Sequence, residues 1–206
     1  MAFFPHTAGS LEVICGSMFS GKSEELIRRV RLARIAHQRV QVFKPKLDTR
    51  YADEELVSHS NFRIAARKVA TSGEIFAQTH ELTDVVGIDE VQFFDAGVVD
   101  VCNRLANMGK RVIVAGLDQD YRGRPFDPMP QLMAVGEYVT KLLAVCSVCG
   151  APSNRSQRLR GGTETIELGA ADRYEARCRR HFEPEEDRQL ELFTERELAL
   201  KPPTRT

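Results

Sequence analysis

The stretch GSMFSGKS, Gly16 to Ser23, constrains this chain more than any other. It fits G-x-x-x-x-G-K-[ST], follows directly on the apolar run LEVIC (11–15), and opens a helical pattern near Lys22. Glycines permit the tight turn and bring backbone N–H groups close to an anion, while the helix that follows presents its positive end. In this pattern Lys22 reaches the outer phosphates of a nucleotide and the Ser23 hydroxyl offers itself to Mg2+. The structural alternative is a glycine-rich strand-to-helix turn with an incidental lysine, which leaves the correctly placed serine unexplained.

A strand feeding a helix in this way predicts a parallel sheet, and the next hundred residues continue the rhythm. RVQVFK (39–44), DVVGID (84–89) and RVIVAGLD (111–118) read as buried strands rich in β-branched residues. Between them, residues 22–36 place Leu26, Val30 and Ala33 on one face with arginines opposite, and residues 96–108 repeat the pattern with Val98, Cys102, Leu105 and Met108. The expectation is an α/β domain with a mainly parallel central sheet covered on both faces. Ligands in such sheets bind beyond the carboxyl ends of the strands. Residues 45–62, PKLDTRYADEELVSHSNF, are polar and poorly periodic and read as a loop that serves as a lid. Gly136 interrupts the helical pattern of PQLMAV, at a cost of about 0.5–1 kcal/mol relative to alanine if it lies in a helix interior.

The phosphate loop makes a second feature intelligible. VVGIDEVQFF (85–94) runs an apolar strand into two adjacent acids, Asp89 and Glu90. An acid at the end of a neighbouring strand helps hold the nucleotide's metal, which is the place of Asp89. Mg2+ retains several waters and needs few protein ligands, so Glu90 is left for another task. As a base it would take a proton either from water, giving an ATPase, or from a substrate hydroxyl, giving a kinase; the two acids by themselves leave both open.

Late in the chain, CSVC (146–149) and CRRH (178–181) form C-x2-C and C-x2-H pairs separated by 28 residues. Cys146, Cys149, Cys178 and His181 satisfy tetrahedral Zn2+ with no position left for water, so the expected site is structural. A redox C-x-x-C would leave the second pair unexplained. A zinc ribbon that binds nucleic acid is the other alternative, favoured by arginines at 155, 158, 160, 173, 177, 179 and 180 but lacking interleaved aromatics beyond Tyr174. Composition weighs against it: 29 basic and 29 acidic residues give a formal charge of zero and no global field toward a polyanion. Nucleic acid is therefore not an expected partner. The start of the chain has no secretory pattern, no apolar run approaches membrane-spanning length, and the cysteines do not form a disulfide framework, so a cytoplasmic protein with reduced thiols and no membrane partner is expected. Expected units are 1–143 for the nucleotide-binding domain, 144–182 for the zinc-binding domain and 183–206 for a charged tail.

The segments GSMFSGKS, FKPKLDTRY, IDEVQFF, GLDQDYRGRPF, MPQLMAVGEYVTKLLAVCSVCGAP and ADRYEARCRRH, in this order, resemble the zinc-containing cytosolic thymidine kinases from about Leu11 to His181. The resemblance implies transfer of a phosphoryl group from ATP to thymidine with Mg2+, a RecA-like P-loop core, a zinc-held lasso loop over the nucleoside, and a homotetramer. It implies ATP contacts from Gly16, Ser17, Met18, Phe19, Ser20, Gly21, Lys22 and Ser23 and from Asp89, Glu90, Val91 and Gln92, with Ser23 and Asp89 at the magnesium. Glu90 takes the role of catalytic base and Arg50, near Asp48 in LDTRY, supports the transferring phosphoryl group. Met18, Phe93, Leu117, Tyr121, Phe126 and Ser156 correspond to the nucleoside pocket, joined from the lasso by Thr165, Ile166, Glu167, Leu168, Gly169 and Tyr174. Two positions depart from the pattern: Ser156 stands where some relatives carry threonine, and Ser60 where relatives often carry aspartate. The reading that competes with a kinase is a P-loop ATPase bearing a zinc ribbon.

Overall fold

The computed structural model describes residues 9–46, 55–57, 63–159 and 173–184, with only the backbone of 55–57 and of Arg63. Asp48, Arg50, Ser60, the lasso residues Thr165 to Gly169, Arg160 and the tail from residue 185 onward lie outside the described residues.

The chain runs β1 (Ser10–Gly16), α1 (Lys22–Ile35), β2 (Val40–Pro45), β3 (Glu55–Val57), β4 (Arg63–Ala65), β5 (Arg67–Val69), α2 (Ser72–Gln78), β6 (Val85–Ile88), α3 (Val98–Asn107), β7 (Arg111–Gly116), α4 (Met129–Val135) and β8 (Tyr138–Leu142). Six of these strands form one sheet in the order β5-β2-β6-β7-β1-β8, and every pairing in it is parallel. The alternation of side chains sorts the apolar residues onto two faces. Ile14, Val42, Val85, Ile113 and Ala115 meet Leu26, Ile27, Val30 and Ala33 of α1. Val13, Cys15, Val86, Ile88, Val112 and Val114 meet Ile75 of α2, Val98, Cys102 and Leu105 of α3, and Met129 and Leu132 of α4. Both lone cysteines belong to this second face, and burial pushes the Cys15 thiol up to about 11 and the Cys102 thiol up to about 12, as suits packed, unreactive sulfur.

The strands expected from sequence form within one or two residues of their expected limits, but four details differ. Residues 45–62 are not loop throughout: β3 pairs antiparallel with β4, because Ile64 is buried on the α1 face and gives the hairpin an anchor. Met108 is the C-cap of α3, just past its last residue Asn107, and is 58% exposed. Arg29 does not face solvent: it is buried, donating to Glu12 Oε2 at 2.7 Å, Glu25 Oε1 at 2.8 Å and Thr140 Oγ1 at 2.9 Å. A buried charge survives only when paired and hydrogen-bonded, and here it ties α1 to β1 and β8. Finally, Gly136 is not interior to a helix; it caps the C-terminus of α4, where a Cβ would stand 2.9 Å from Val13 Cγ2. Its role is close approach of α4 to the sheet.

Beyond β8 come β9 (Ala144–Val145), β10 (Pro152–Ser153), β11 (Arg155–Arg158) and β12 (Tyr174–Arg177), paired antiparallel as β9 with β10 and β11 with β12. These are too short to build a core of their own.

Candidate active site and cysteine centre

The phosphate loop leaves β1 at Gly16, whose φ of 149° and lack of side chain are both required: a Cβ would meet Leu142 O at 2.4 Å. Gly21, with φ 85°, begins α1, and Glu25 N–H donates back to its carbonyl at 3.0 Å. Within the loop, Ser17 O accepts from both Ser20 Oγ and Lys22 Nζ at 2.8 Å. Both side chains therefore fold back onto the same backbone carbonyl of the loop.

From the neighbouring strand β6, Asp89 N–H makes a last ladder bond to Phe43 O at 3.0 Å before the chain turns. Glu90 makes that turn in the left-handed region, φ 50° and ψ 43°, and caps a short 3-10 turn over Val91–Phe93. For a non-glycine residue this conformation costs about 1–3 kcal/mol, and such strain concentrates at functional sites. Its effect is to separate two adjacent carboxylates. Asp89 Oδ2 accepts from Ser23 Oγ at 3.1 Å, bringing the two expected magnesium residues together across 66 positions of sequence. Glu90 Oε2 instead accepts from Gln92 Nε2 at 2.6 Å.

Asp89 is only 3% exposed. Burial first, and then the neighbouring Glu90 carboxylate, hold its carboxyl well above the usual carboxylate range. A buried acid beside a hydroxyl at the end of a phosphate loop fits a divalent cation, which would supply the positive charge this carboxylate lacks.

The expected nucleoside wall is drawn from both ends of the chain. Phe93 and Phe126 meet edge to face, with ring centroids 6.2 Å apart. Leu117, just past β7, donates its N–H to Gln92 Oε1 at 3.0 Å. Met18 N–H donates to Ser156 Oγ at 3.0 Å, joining the phosphate loop to β11. Tyr121 and Tyr174 are both buried, and Arg158 lies between them, its guanidinium 3.5 Å from the centre of the Tyr121 ring and its Nε donating to Tyr174 Oη at 3.1 Å. Arg155 adds bonds to Gln119 Oε1 at 2.5 Å and Gly123 O at 3.0 Å. So β11, through Arg155, Ser156 and Arg158, is the strap between the cysteine module and the main domain. By sequence these arginines form only a basic cluster; their partners, Gln119, Gly123 and Tyr121, lie more than thirty residues away and leave no local signal.

At the base of the strap, the Sγ atoms of Cys146, Cys149 and Cys178 and one imidazole nitrogen of His181 all lie within 4.8 Å of one another. The Cys149–Cys178 sulfur separation is 3.8 Å, and His181 Nδ1 is 3.3 Å from Cys178 Sγ and 3.7 Å from Cys146 Sγ. Ligands bound tetrahedrally to one zinc ion stand about 3.5–3.8 Å apart, so this donor set fits Zn2+. None of the cysteines is in a disulfide. Among the described residues no helix is long and apolar enough to cross a membrane.

With this geometry in place, comparison with known proteins is decisive. The family model described as thymidine kinase matches residues 9–182. A thymidine kinase of Rhodothermus sp. (strain ITI 518) is 61% identical over 178 residues, covering 86% of this chain and 83% of the relative. The chain belongs to the thymidine kinase family. It is an ATP-dependent transferase that phosphorylates thymidine, on the family's α/β P-loop fold. Within a thymidine kinase the phosphoryl acceptor is the nucleoside rather than water, which weighs against the P-loop ATPase reading.

Proposed function

We propose that the reaction is an in-line transfer of the γ-phosphoryl group of ATP to the 5′-hydroxyl of thymidine, with Glu90 as the base that receives the hydroxyl proton. The reading rests above all on the division of the two acids: Asp89 beside Ser23 at 3.1 Å, Glu90 turned away to Gln92 at 2.6 Å. Loop amides of residues 16–23 and Lys22 bind the phosphates, and the helix N-terminus adds favourable potential. Ser23 and Asp89 hold Mg2+, which when bound spreads the charge developing on the transferred group. Arg50 contributes in the same sense from the 45–62 segment. Met18, Phe93, Leu117, Tyr121, Phe126, Ser156 and Tyr174, with the lasso residues Thr165, Ile166, Glu167, Leu168 and Gly169, wall the nucleoside and exclude water from Glu90. Without that exclusion the same base would serve hydrolysis.

Cys146, Cys149, Cys178 and His181 hold a structural Zn2+, in a unit that we take as 144–182, following a nucleotide-binding unit of 1–143 and preceding a tail of 183–206. A cytoplasmic homotetramer completes the reading.

The test is Glu90→Gln, assayed for ATP turnover against a panel of nucleosides. The variant should fold, retain metal and bind ATP while losing roughly 10²–10⁴ in thymidine-dependent turnover, the range for a positioned base. Near-normal phosphorylation of thymidine would remove Glu90 from the mechanism.

A further inference from the structure

Gln92 is only 4% exposed, yet both ends of its side-chain amide are engaged by groups of the site. Its Oε1 accepts from Leu117 N–H at 3.0 Å, and its Nε2 donates to Glu90 Oε2 at 2.6 Å. The amide's orientation follows from the donor inventory. A backbone N–H can only donate, so the amide oxygen must face Leu117 and the NH2 must face Glu90; the flipped rotamer would set two donors together and two acceptors together. The end of β7 is shaped around this arrangement. At Gly116 a Cβ would stand 2.6 Å from Gln92 Oε1, 2.9 Å from Met129 Sδ and 2.9 Å from Val91 Cγ1, so only glycine leaves room for the amide there.

We infer that Gln92 is a positioning residue for the reaction: its amide, anchored on the Leu117 backbone, holds the Glu90 carboxylate in its left-handed turn and aimed at the hydroxyl. The inference deepens the proposed role of Glu90 and rests on it. A neutral amide suits the task. A lysine or arginine in the same place would also fix the carboxylate, but its charge would stabilise the ionised form and weaken the base. The anchor matters equally, because Leu117 is itself a residue of the nucleoside wall. One side chain thus sets the distance between the base and the wall that positions the acceptor, and small errors in that distance are costly in rate.

Gln92→Glu separates the two halves of the clamp. It keeps an acceptor for Leu117 N–H but replaces the amide donor with a second carboxyl, whose repulsion turns the Glu90 carboxylate away or leaves the pair sharing a proton, and in either case impairs the base. The expected result is a kcat for thymidine phosphorylation lowered about 10–100-fold, with KM for thymidine within about threefold of the parent. Combined with Glu90→Gln, it should lower kcat less than about twofold further, because a residue that acts through Glu90 has nothing left to position. Gln92→Asn is uncharged and too short to span Leu117 and Glu90; it should give the same loss confined to kcat and keeps the test open if the glutamate variant fails to fold. Unchanged kcat in both single variants, a rise in KM with kcat intact, or losses that multiply fully with that of Glu90→Gln would overturn the inference while leaving the base in place. Normal turnover by Glu90→Gln alone would instead overturn the base reading, and the positioning role with it.

Discussion

The strand-end site and the cysteine centre hold their polar groups still by different means. Around Gly16–Ser23 and Asp89–Gln92, the support is a six-stranded parallel sheet with buried side chains from both faces, closed by α1 on one side and α2, α3 and α4 on the other. Around Cys146 the strands are two to four residues long, and the four ligand atoms within 4.8 Å of one another are the main organising element among the described residues. The first site is rigid because of burial distributed over many residues. The second would depend on the one ion its donor set fits, and Arg155, Ser156 and Arg158 would carry that dependence to Gln119, Met18 and Tyr121 of the proposed nucleoside wall and its surroundings.

The sharpest way to break this comparison is to remove the metal. Metal-coupled stability of an apparent ~10–16 kcal/mol is at stake in a closed site of this kind. Cys178→Ser, or chelation, should abolish metal content and thymidine-stimulated turnover together, while the sheet's thermal transition shifts by only a few degrees and ATP binding survives. Metal analysis, calorimetry and titration with an ATP analogue check each part; parallel loss of ATP binding would mean the two regions are not separately supported.

A smaller effect tests the strap itself. Ser156→Ala deletes the acceptor for Met18 N–H, and leaving a part-buried donor unpaired costs about 1–3 kcal/mol. Steady-state kinetics should show KM for thymidine raised about fivefold or more, with retained metal and a kcat changed less than about twofold. Unaltered KM would show that the contact carries no coupling between the regions.

The smallest effect belongs to the sheet side alone. Hydrogen bonds from Arg28 first, and from Arg29, hold the Glu25 carboxyl down from 4.5 to about 2. A depressed acid contributes stability that is fully present above the unfolded value near pH 4.5 and is lost as pH falls toward about 2. The Glu25 side chain is 19% exposed and pairs with exposed Arg28 as well as buried Arg29, but a glutamine still offers Arg29 an acceptor, so Glu25→Gln should cost only about 0.5–1 kcal/mol at neutral pH. Urea midpoints measured across pH should flatten on the acid side of 4.5 in the variant; an unchanged acid limb would assign the pH dependence elsewhere.

Legibility in the sequence followed the same division. Strands β1, β2, β6 and β7 were readable because a strand buried on both faces is a continuous apolar run. The edge strand β8, YVTKL, was not read, since Tyr138 and Val139 are exposed and its polar positions mask the period. Short α2 and the β3–β4 hairpin were missed because seven- and three-residue elements give too little periodicity to count. In the candidate site, Ser23 and the Cys3His set are identifiable from spacing, because their chemistry demands fixed residue types at fixed offsets, and Asp89 from its place at the end of an apolar strand. The work of Gln92, Arg155 and Arg158 is not. Each acts through a partner 25 to 37 positions away, chosen by packing rather than by spacing.

By itself, then, the sequence determined the strand–loop–helix of the P-loop, the parallel sheet behind it and the Cys3His cluster whose spacing fits a metal, since these depend on local backbone conformation and on residue types at short range. Only the tertiary structure decided that two neighbouring carboxylates go to different partners, that β11 straps the cysteine centre to the phosphate loop, and that a buried glutamine holds the proposed base. The physical reason is that hydrogen-bond partners in a packed interior are assigned by three-dimensional proximity and by the demand that every buried donor find an acceptor, neither of which is written in the distance along the chain.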